Sequence, residues 1–496
     1  MKRYLKLISL FLAIVMLVAS FASCAGDNSG DPGNTDNETQ ATTKPKEELS
    51  QGGDVETEYM PEIDKNNYKD EFYLWIMGDS NPVDCYWVSE SSNDVLSDAV
   101  YNRQENVRKY LGVEVIGADT ESENRYVQPF KTAVQNKDGS VDLLIAHVYY
   151  GIDGFITGNY LTDFNDISEI NLNADYWKLD VMEGVGINDR LYLGYSEFNI
   201  LYTHVITFNK SLLEKYEDAL DESVYSMVEN YHWTLDKMIW LASLGYIDAT
   251  SDGKTDDDQY GIVGYQSVPF VGFVQASDIQ LVDMDNQGNY VLSCYNATNK
   301  TKMSSLVDKI KGLALSEFSC FRNDYSYPTM TSGRALMEVS GTTWLRGYLN
   351  SGVEFGILPF PMYDEAQKNV GYRSLQWGGY LCVPSYMGEG NRPTMIGETI
   401  EMLTYYSDAV ATAYYEKLLG KQVAEAPDDR RMLQIVWDSV CSDIGQTYFS
   451  LVLNTHLLYV LPRVTKADST DNLASFIGGI ESTVNKSFKQ FVKKVK

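Results

Sequence analysis

Apolar residues are distributed along this 496-residue chain in three regimes. Leu7 to Ala19 is almost continuously apolar, Ala25 to about Asn67 is nearly devoid of large apolar side chains, and from Tyr68 onward short apolar runs alternate with helical periodicities. Phe72 to Met77 predicts a first strand that ends in a loop at Gly78 and Asp79. Leu96, Val100, Arg103, Val107 and Leu111 recur at helical spacing, with Ser92 or Asn93 as the expected cap. Val113 to Ile116 predicts a strand, Val127 to Asn136 a helix, and Val141 to Ala146, apolar except for Asp142, a buried parallel strand. The same grammar restarts with a strand over Tyr202 to Phe208, a turn at Asn209-Lys210 and a helix beginning at Ser211 to Tyr216. Further helices are expected at Met303 to Leu315, Glu398 to Leu419 and Leu473 to Val495, the last carrying Leu473, Ile477, Ile480, Val484, Phe488 and Phe491 on one face. Strand, helix and strand in alternation predict α/β architecture with a parallel sheet. A body of about 430 residues exceeds what one hydrophobic core usually supports, so two lobes are expected.

The amino terminus reads as an address. Lys2, Arg3 and Lys6 precede the apolar run, which is short for a membrane span and fits the central region of a secretory leader. Phe21-Ala22-Ser23-Cys24 then resembles a bacterial lipobox, in which Cys24 becomes the lipidated first residue of the mature chain. A plain secretory leader with a chance cysteine is the alternative, and it exports the chain equally. Residues 25–67 hold eleven acidic and three basic side chains and little that could form a core, so a disordered tether is expected. Together these features place the body outside the cell, on the outer face of the cytoplasmic membrane.

Charge and motifs exclude several classes. The formal net charge of −29 at pH 7 becomes −32 without the three basic residues of the leader, which argues against nucleic acid and against anionic lipid as charge-driven partners. Cys85, Cys294, Cys320, Cys382 and Cys441 are an odd, scattered set without C-x-x-C, so neither a disulfide scaffold nor a zinc site is expected and at most two disulfides are possible. There is no H-E-x-x-H and no G-x-S-x-G, and His147, His204, His232 and His456 lack ligand spacing. Gly253-Lys254-Thr255 imitates the end of a P-loop, but Asp248 occupies the position of its first glycine. The acidic stretch Asp248 to Gln259 imitates a calcium loop, but Gln259 replaces the bidentate Glu, and a solvated turn is preferred. No cofactor and no metal are expected.

Four segments in order carry a resemblance. They are Phe208-Asn209-Lys210 with Leu212-Leu213, then Gly333-Arg334-Ala335-Leu336-Met337 with Gly341 and Trp344, then Phe355 to Pro361, and finally Gly378-Gly379 to Pro384. In that order behind a lipobox, the chain resembles the extracellular solute-binding proteins of ABC importers, of the sugar-binding, maltose-binding-protein-like class, in a lipoprotein subgroup of Gram-positive bacteria. The resemblance implies a two-lobed, periplasmic-binding-protein-like α/β fold with a hinge and an interlobe ligand cleft. It implies chain crossings near residues 200, 358 and 428, with lobe I at 68–200 plus 359–428 and lobe II at 201–358 plus 429–496. It further implies a monomer that binds a small solute without chemistry and delivers it to importer permease subunits.

A carbohydrate presents flat C–H faces edged by hydroxyls, and its receptor therefore needs aromatic plates beside planar hydrogen-bonding groups. Aromatic residues form 12% of this chain, with 36 Tyr and 8 Trp, and several stand just beyond predicted strands, where open α/β sheets place ligands. The candidate contacts are Asp84, Trp87 and Glu90 in the first loop, Tyr149, Tyr150 and Asp153 after the strand ending at Ala146, and Trp377 before Gly378-Gly379. Phe273 is a candidate for the facing wall, and the resemblance makes Trp344 the stacking tryptophan of the second lobe. An exported glycan-binding adhesion lipoprotein and a glycan-active enzyme are the alternative functions.

Overall fold

The computed structural model describes residues 60–77, 83–120, 125–147, 150–199, 203–265, 269–322, 330–348, 351–376, 378–419, 427–449 and 472–495. The leader, Cys24 and most of the tether lie outside the described residues. So do Tyr149 and Trp377.

The first sheet follows from the first apolar runs. Strand β1 (Asp70–Ile76) lies parallel between β2 (Val113–Asp119) and β3 (Leu143–His147), with Asp70 opposite Val113 and Leu74 opposite Leu143. Helix α1 (Val95–Leu111) joins β1 to β2 and buries Leu96, Val100, Arg103, Val107 and Leu111, the periodic set of the sequence. Its cap is Asp94, not Ser92 or Asn93: the carboxylate accepts the N–H groups of Leu96 and Ser97 at 3.1 and 3.3 Å. The helix stops at Gly112, whose φ of 68° is left-handed and whose N–H closes onto the Arg108 carbonyl. A side chain at Gly112 would strike Asn67, because residues 60–69 run along the end of α1. Ile63 is buried there, its carbonyl accepts the Tyr110 hydroxyl at 2.8 Å, and Asn66 N–H bonds the Tyr110 carbonyl at 3.0 Å. The folded body thus begins at least eight residues before the expected tether end, because Pro61 and Ile63 supply the apolar anchors that the rest of the acidic stretch lacks. Helices α2 (Val127–Asn136) and α3 (Ile152–Thr157) flank β3 in the chain.

The second sheet has the order β10-β4-β9-β5-β8 and is mixed rather than parallel. Strand β4 (His204–Asn209) runs antiparallel to β9 (Ala335–Gly341) and to β10 (Phe355–Leu358), while β5 (Tyr260–Tyr265) runs parallel to β9 and to β8 (Ser319–Arg322). Helices α4 (Leu235–Leu244), α5 (Pro269–Ala276) and α6 (Lys300–Leu315) and the hairpin β6 (Val282–Met284) to β7 (Tyr290–Leu292) fill the connections. Two residue pairs, β11 (Ser374–Leu375) and β13 (Val440–Cys441), pair parallel with each other, and β12 (Gly379–Cys382) returns to the first sheet antiparallel to β3.

The second return of the chain corrects the expected boundary at 359. Met362 N–H donates to the Trp233 carbonyl, Gln367 Nε2 reaches the Ala276 carbonyl at 2.8 Å, and the Tyr372 hydroxyl reaches the Val228 carbonyl at 2.9 Å. Residues 359–373 therefore stay with the second sheet, and the passage to the first occurs between β11 and β12. The long helix expected over Glu398 to Leu419 is two helices, α7 (Arg392–Tyr405) and α8 (Asp408–Leu419). Tyr406 and Ser407 form a turn between them, with the Ser407 N–H on the Thr404 carbonyl at 3.0 Å and its hydroxyl on the Leu403 carbonyl at 2.7 Å. Helix α8 packs on α1. Helix α9 (Pro427–Asp438) instead joins the second sheet, where Asp429 accepts from Lys210 and from the Tyr225 hydroxyl, both at 2.5 Å. The chain ends in α10 (Ile444–Phe449) and α11 (Leu473–Val492), whose Asn485 accepts the Leu292 N–H of the hairpin at 2.8 Å.

All five body cysteines are free thiols, four of them buried. Among the described residues no helix is long and apolar enough to cross a membrane.

Candidate ligand cleft between the two sheets

Where the chain passes between the sheets, three segments are hydrogen-bonded side by side. Thr203, entering β4, pairs with Gln376; Ser374 N–H donates to the Ser439 carbonyl at 2.8 Å and Gln376 N–H to the Cys441 carbonyl at 2.9 Å. The Thr203 hydroxyl adds a bond to the Leu375 carbonyl at 3.2 Å. A hinge between the two sheets would lie at this ribbon, and further contacts join the two bodies away from it: Lys178 pairs with Asp438 at 3.6 Å, the Tyr290 hydroxyl donates to the Gly186 carbonyl at 3.4 Å and the Ser442 hydroxyl to the Val181 carbonyl at 2.9 Å.

Strand direction decides which residues face one another beside that ribbon. Strand β3 ends at His147 opposite Gly379, and β1 runs parallel to β3, so the segments that follow both strands emerge on the ribbon side. In the second sheet β9 ends at Gly341 opposite His204, and β5 runs parallel to it. The segments after β1, β3 and β9 therefore leave their strands toward the ribbon, at carboxyl ends of the kind where α/β proteins hold ligands.

The segment after β9 is a 3-10 stretch, Thr342–Tyr348, with Trp344 half-buried and its indole alongside Gly341. A Cβ at Gly341 would sit 3.9 Å from that indole, an ordinary contact distance. Tyr150, half-buried at the end of β3, is fixed by its backbone: its N–H bonds the His147 carbonyl and its carbonyl accepts the Tyr126 hydroxyl at 2.6 Å. Asp153 sits in the first turn of α3, where burial raises its carboxyl above the usual range while the Gly154 N–H and the Lys131 ammonium oppose the rise. These three are on the segments that leave those strand ends.

Three candidates have other work. Phe273 is 1% exposed, and its ring centroid lies 4.9 Å from that of Phe360; it faces inward from α5 and belongs to the core of the second body, not to a cleft wall. Trp87 spends its indole N–H on the Val115 carbonyl at 2.9 Å and its ring on strand β2, where a side chain at Gly117 would run into it. It is a packing residue. Glu90 is exposed on the connection into α1, with its carbonyl accepting the Ser97 hydroxyl at 3.5 Å.

Asp84 is neither packed nor solvated alone. It forms a two-pronged ion pair with Arg346, one arm 2.8 Å long, that joins the segment after β1 to the segment after β9. The Asp84 carboxylate holds the Arg346 guanidinium above its ordinary range. Arg346 was absent from the sequence candidates; the only signal was its place two residues beyond Trp344. Tyr414 of α8 makes a second contact, its hydroxyl donating to the Thr342 carbonyl at 2.9 Å.

The acidic stretch near 248–259 closes on itself. Asp258 accepts the N–H groups of Ala249 and Thr255 at 3.0 and 2.7 Å, Asp256 pairs with Arg322, and Asp257 pairs with Arg334. Among the described residues no group of three or more His, Cys, Asp or Glu is placed to hold a metal ion.

No family model and no curated protein matches this chain. Solved structures do. The ABC substrate-binding protein Lmo0181 of Listeria monocytogenes, in complex with cycloalternan, aligns at a TM-score of 0.54 and 11% identity over 85% of this chain and 99% of its own. The GacH receptor of Streptomyces glaucescens, solved unliganded and with acarbose, aligns at 0.50 and 14% identity over 86% of this chain and 99% of its own. The maltose/maltodextrin-binding domain MalE of Bdellovibrio bacteriovorus, bound to maltotriose, aligns at 0.50 and 15% identity over 84% of this chain and all of its own. With two sheets and a three-segment ribbon between them, this chain has the two-lobed fold of the maltose-binding-protein-like solute-binding proteins of ABC importers.

Proposed function

We propose that this chain captures a small solute, a mono- or oligosaccharide, between its lobes and hands it unchanged to the permease subunits of an ABC importer. What supports the reading is that Tyr150 and Asp153 follow β3 of the first sheet and Trp344 follows β9 of the second, each at the strand end nearest the ribbon in which Thr203 pairs with Gln376. The likeness in fold to proteins solved with cycloalternan, acarbose and maltotriose supports carbohydrate as the solute class. In this reading Cys24 carries lipid, the acidic tether spans the gap to the outer face of the cytoplasmic membrane, and the protein works as a monomer.

Aromatic stacking supplies the affinity in this reading. Covering about 100 Å² of a sugar face removes apolar area worth about 2.5 kcal/mol. Hydrogen bonds choose among sugars, because a buried group left without its partner is costly.

A thermal-shift screen of the mature protein against mono- and oligosaccharides, maltotriose included, tests the proposal, since a ligand selective for the folded state raises Tm by mass action. A sugar-specific rise with unchanged sugar recovered afterwards is expected. Absence of any shift across the panel, or release of cleaved sugar, overturns it.

A further inference from the structure

Closure of a hinged cleft is usually attributed to its solute, yet this structure contains a closing contact made by protein alone. Asp84 belongs to the short 3-10 turn Val83–Cys85 after β1; Arg346 belongs to the 3-10 stretch after β9. The two sheets share no strand. A two-pronged ion pair between them therefore exists only when the lobes are close, and parting the lobes breaks both arms together.

The turn bearing Asp84 is held with unusual firmness. Arg103 of α1 is 2% exposed, and its Nη2 donates to the carbonyls of Cys85 and Tyr86 at 3.1 and 2.7 Å while Nη1 donates to the Ser407 hydroxyl at 3.1 Å. Its guanidinium lies 4.5 Å from the centroid of the Phe198 ring. The Arg103 Nε is buried without a partner, so taking these three bonds from the same buried cation would cost still more, and they oppose movement of the turn. The carboxylate next door is aimed rather than free to wander, which lowers the entropy cost that makes ordinary surface pairs weak. Asp84 and Arg346 are 45% and 29% exposed as side chains, so the pair is partly sheltered yet still open to salt.

We infer that Asp84 and Arg346 form a latch between the lobes that populates the closed form before solute arrives, with Arg103 as the positioning residue that aims it. The inference rests on reading the two sheets as hinged lobes, and not on the solute being a carbohydrate. The latch biases the equilibrium between open and closed forms, and solute that fits the closed cleft binds more tightly by the fraction of molecules already closed. It makes Asp84 a determinant of affinity without requiring it to touch the solute.

Small-angle scattering of the solute-free mature protein at low and high NaCl tests this directly. The wild type is expected to be compact at low salt and to expand as salt rises. Asp84→Asn and Arg346→Gln are expected to be expanded at low salt and insensitive to NaCl, with circular dichroism confirming that both fold. The exchanged pair Asp84→Arg with Arg346→Asp is expected to restore compactness, which a merely local structural role for either residue would not do. Identical scattering of the wild type and both single variants, or a wild-type profile unmoved by salt, overturns the latch. Since no sugar is present, a failed sugar screen leaves this outcome readable, and a failed latch leaves the sugar screen readable.

Discussion

His147 and His204 occupy matching places in the two lobes: each lies at the ribbon end of its strand, directly opposite a glycine, Gly379 for one and Gly341 for the other. Both are buried, and burial alone pushes their imidazoles down to about 3. Two buried carboxyls move the opposite way. Asp142, beside Arg392, and Asp443, which accepts the Leu281 and Gln446 N–H groups, are each pushed up to about 6 by desolvation.

These four groups oppose one another in linkage. A histidine with a lowered folded pKa gives stability that is present above its unfolded value near 6.5 and lost as pH falls toward 3. A carboxyl with a raised folded pKa gives stability that is present below about 4 and lost as pH rises through 6. Between about pH 4 and 6 the two histidines add and the two carboxyls subtract about 1.4 kcal/mol per pH unit each, so they cancel. In urea unfolding across that range these four groups should make no net contribution to the slope of stability with pH, and below pH 4 the histidines should lower stability. Asp443→Asn should make that slope more positive than the wild type's by about 1.4 kcal/mol per unit. A slope unchanged by that substitution would show that Asp443 is not held protonated.

Trp344 is the strongest stacking candidate, and its half-buried place beside Gly341 lets it be truncated with little effect on the core. Trp344→Ala is expected to weaken sugar binding at least tenfold, about 1.4 kcal/mol, in isothermal titration while Tm of the free protein falls only slightly. Unchanged affinity removes Trp344 from the site.

Gly261 on β5 lies directly against the backbone of helix α4. A Cβ there would land on the Ala242 carbonyl of α4, a backbone atom that cannot step aside. Gly261→Ala should therefore force α4 off the sheet and lower stability by about 3 kcal/mol or more, measured by chemical denaturation. The same substitution at Gly312, which faces open space on α6, should be neutral or slightly stabilising.

Arg103→Met keeps the length of the side chain but strands the Cys85 and Tyr86 carbonyls in a dry interior. A loss of about 2–4 kcal/mol in unfolding free energy is expected from the orphaned acceptors. A variant as stable as the wild type would mean that the turn finds other donors, and would remove Arg103 from any role in aiming Asp84.

The sequence by itself determined the elements and their class. Apolar runs and helical periodicity placed β1 to β3, α1 and the last helix, because burial periods of two and 3.6 residues are local properties that each segment carries alone. The two-lobed α/β fold was implied by the resemblance that the ordered glycine and proline segments carry, and by a body too long for one core. Tertiary structure decided the rest. The passage to the first lobe at Gln376 instead of 359, the break at Ser407, and the anchoring of residues 60–69 on α1 depend on partners far along the chain. Phe273 and Trp87 looked like cleft aromatics because an aromatic side chain beyond a strand reads the same whether it faces a core or a solute. The pairing of Asp84 with Arg346 spans 262 positions, and no local pattern distinguishes a carboxylate that meets a solute from one that meets an arginine brought to it by the fold.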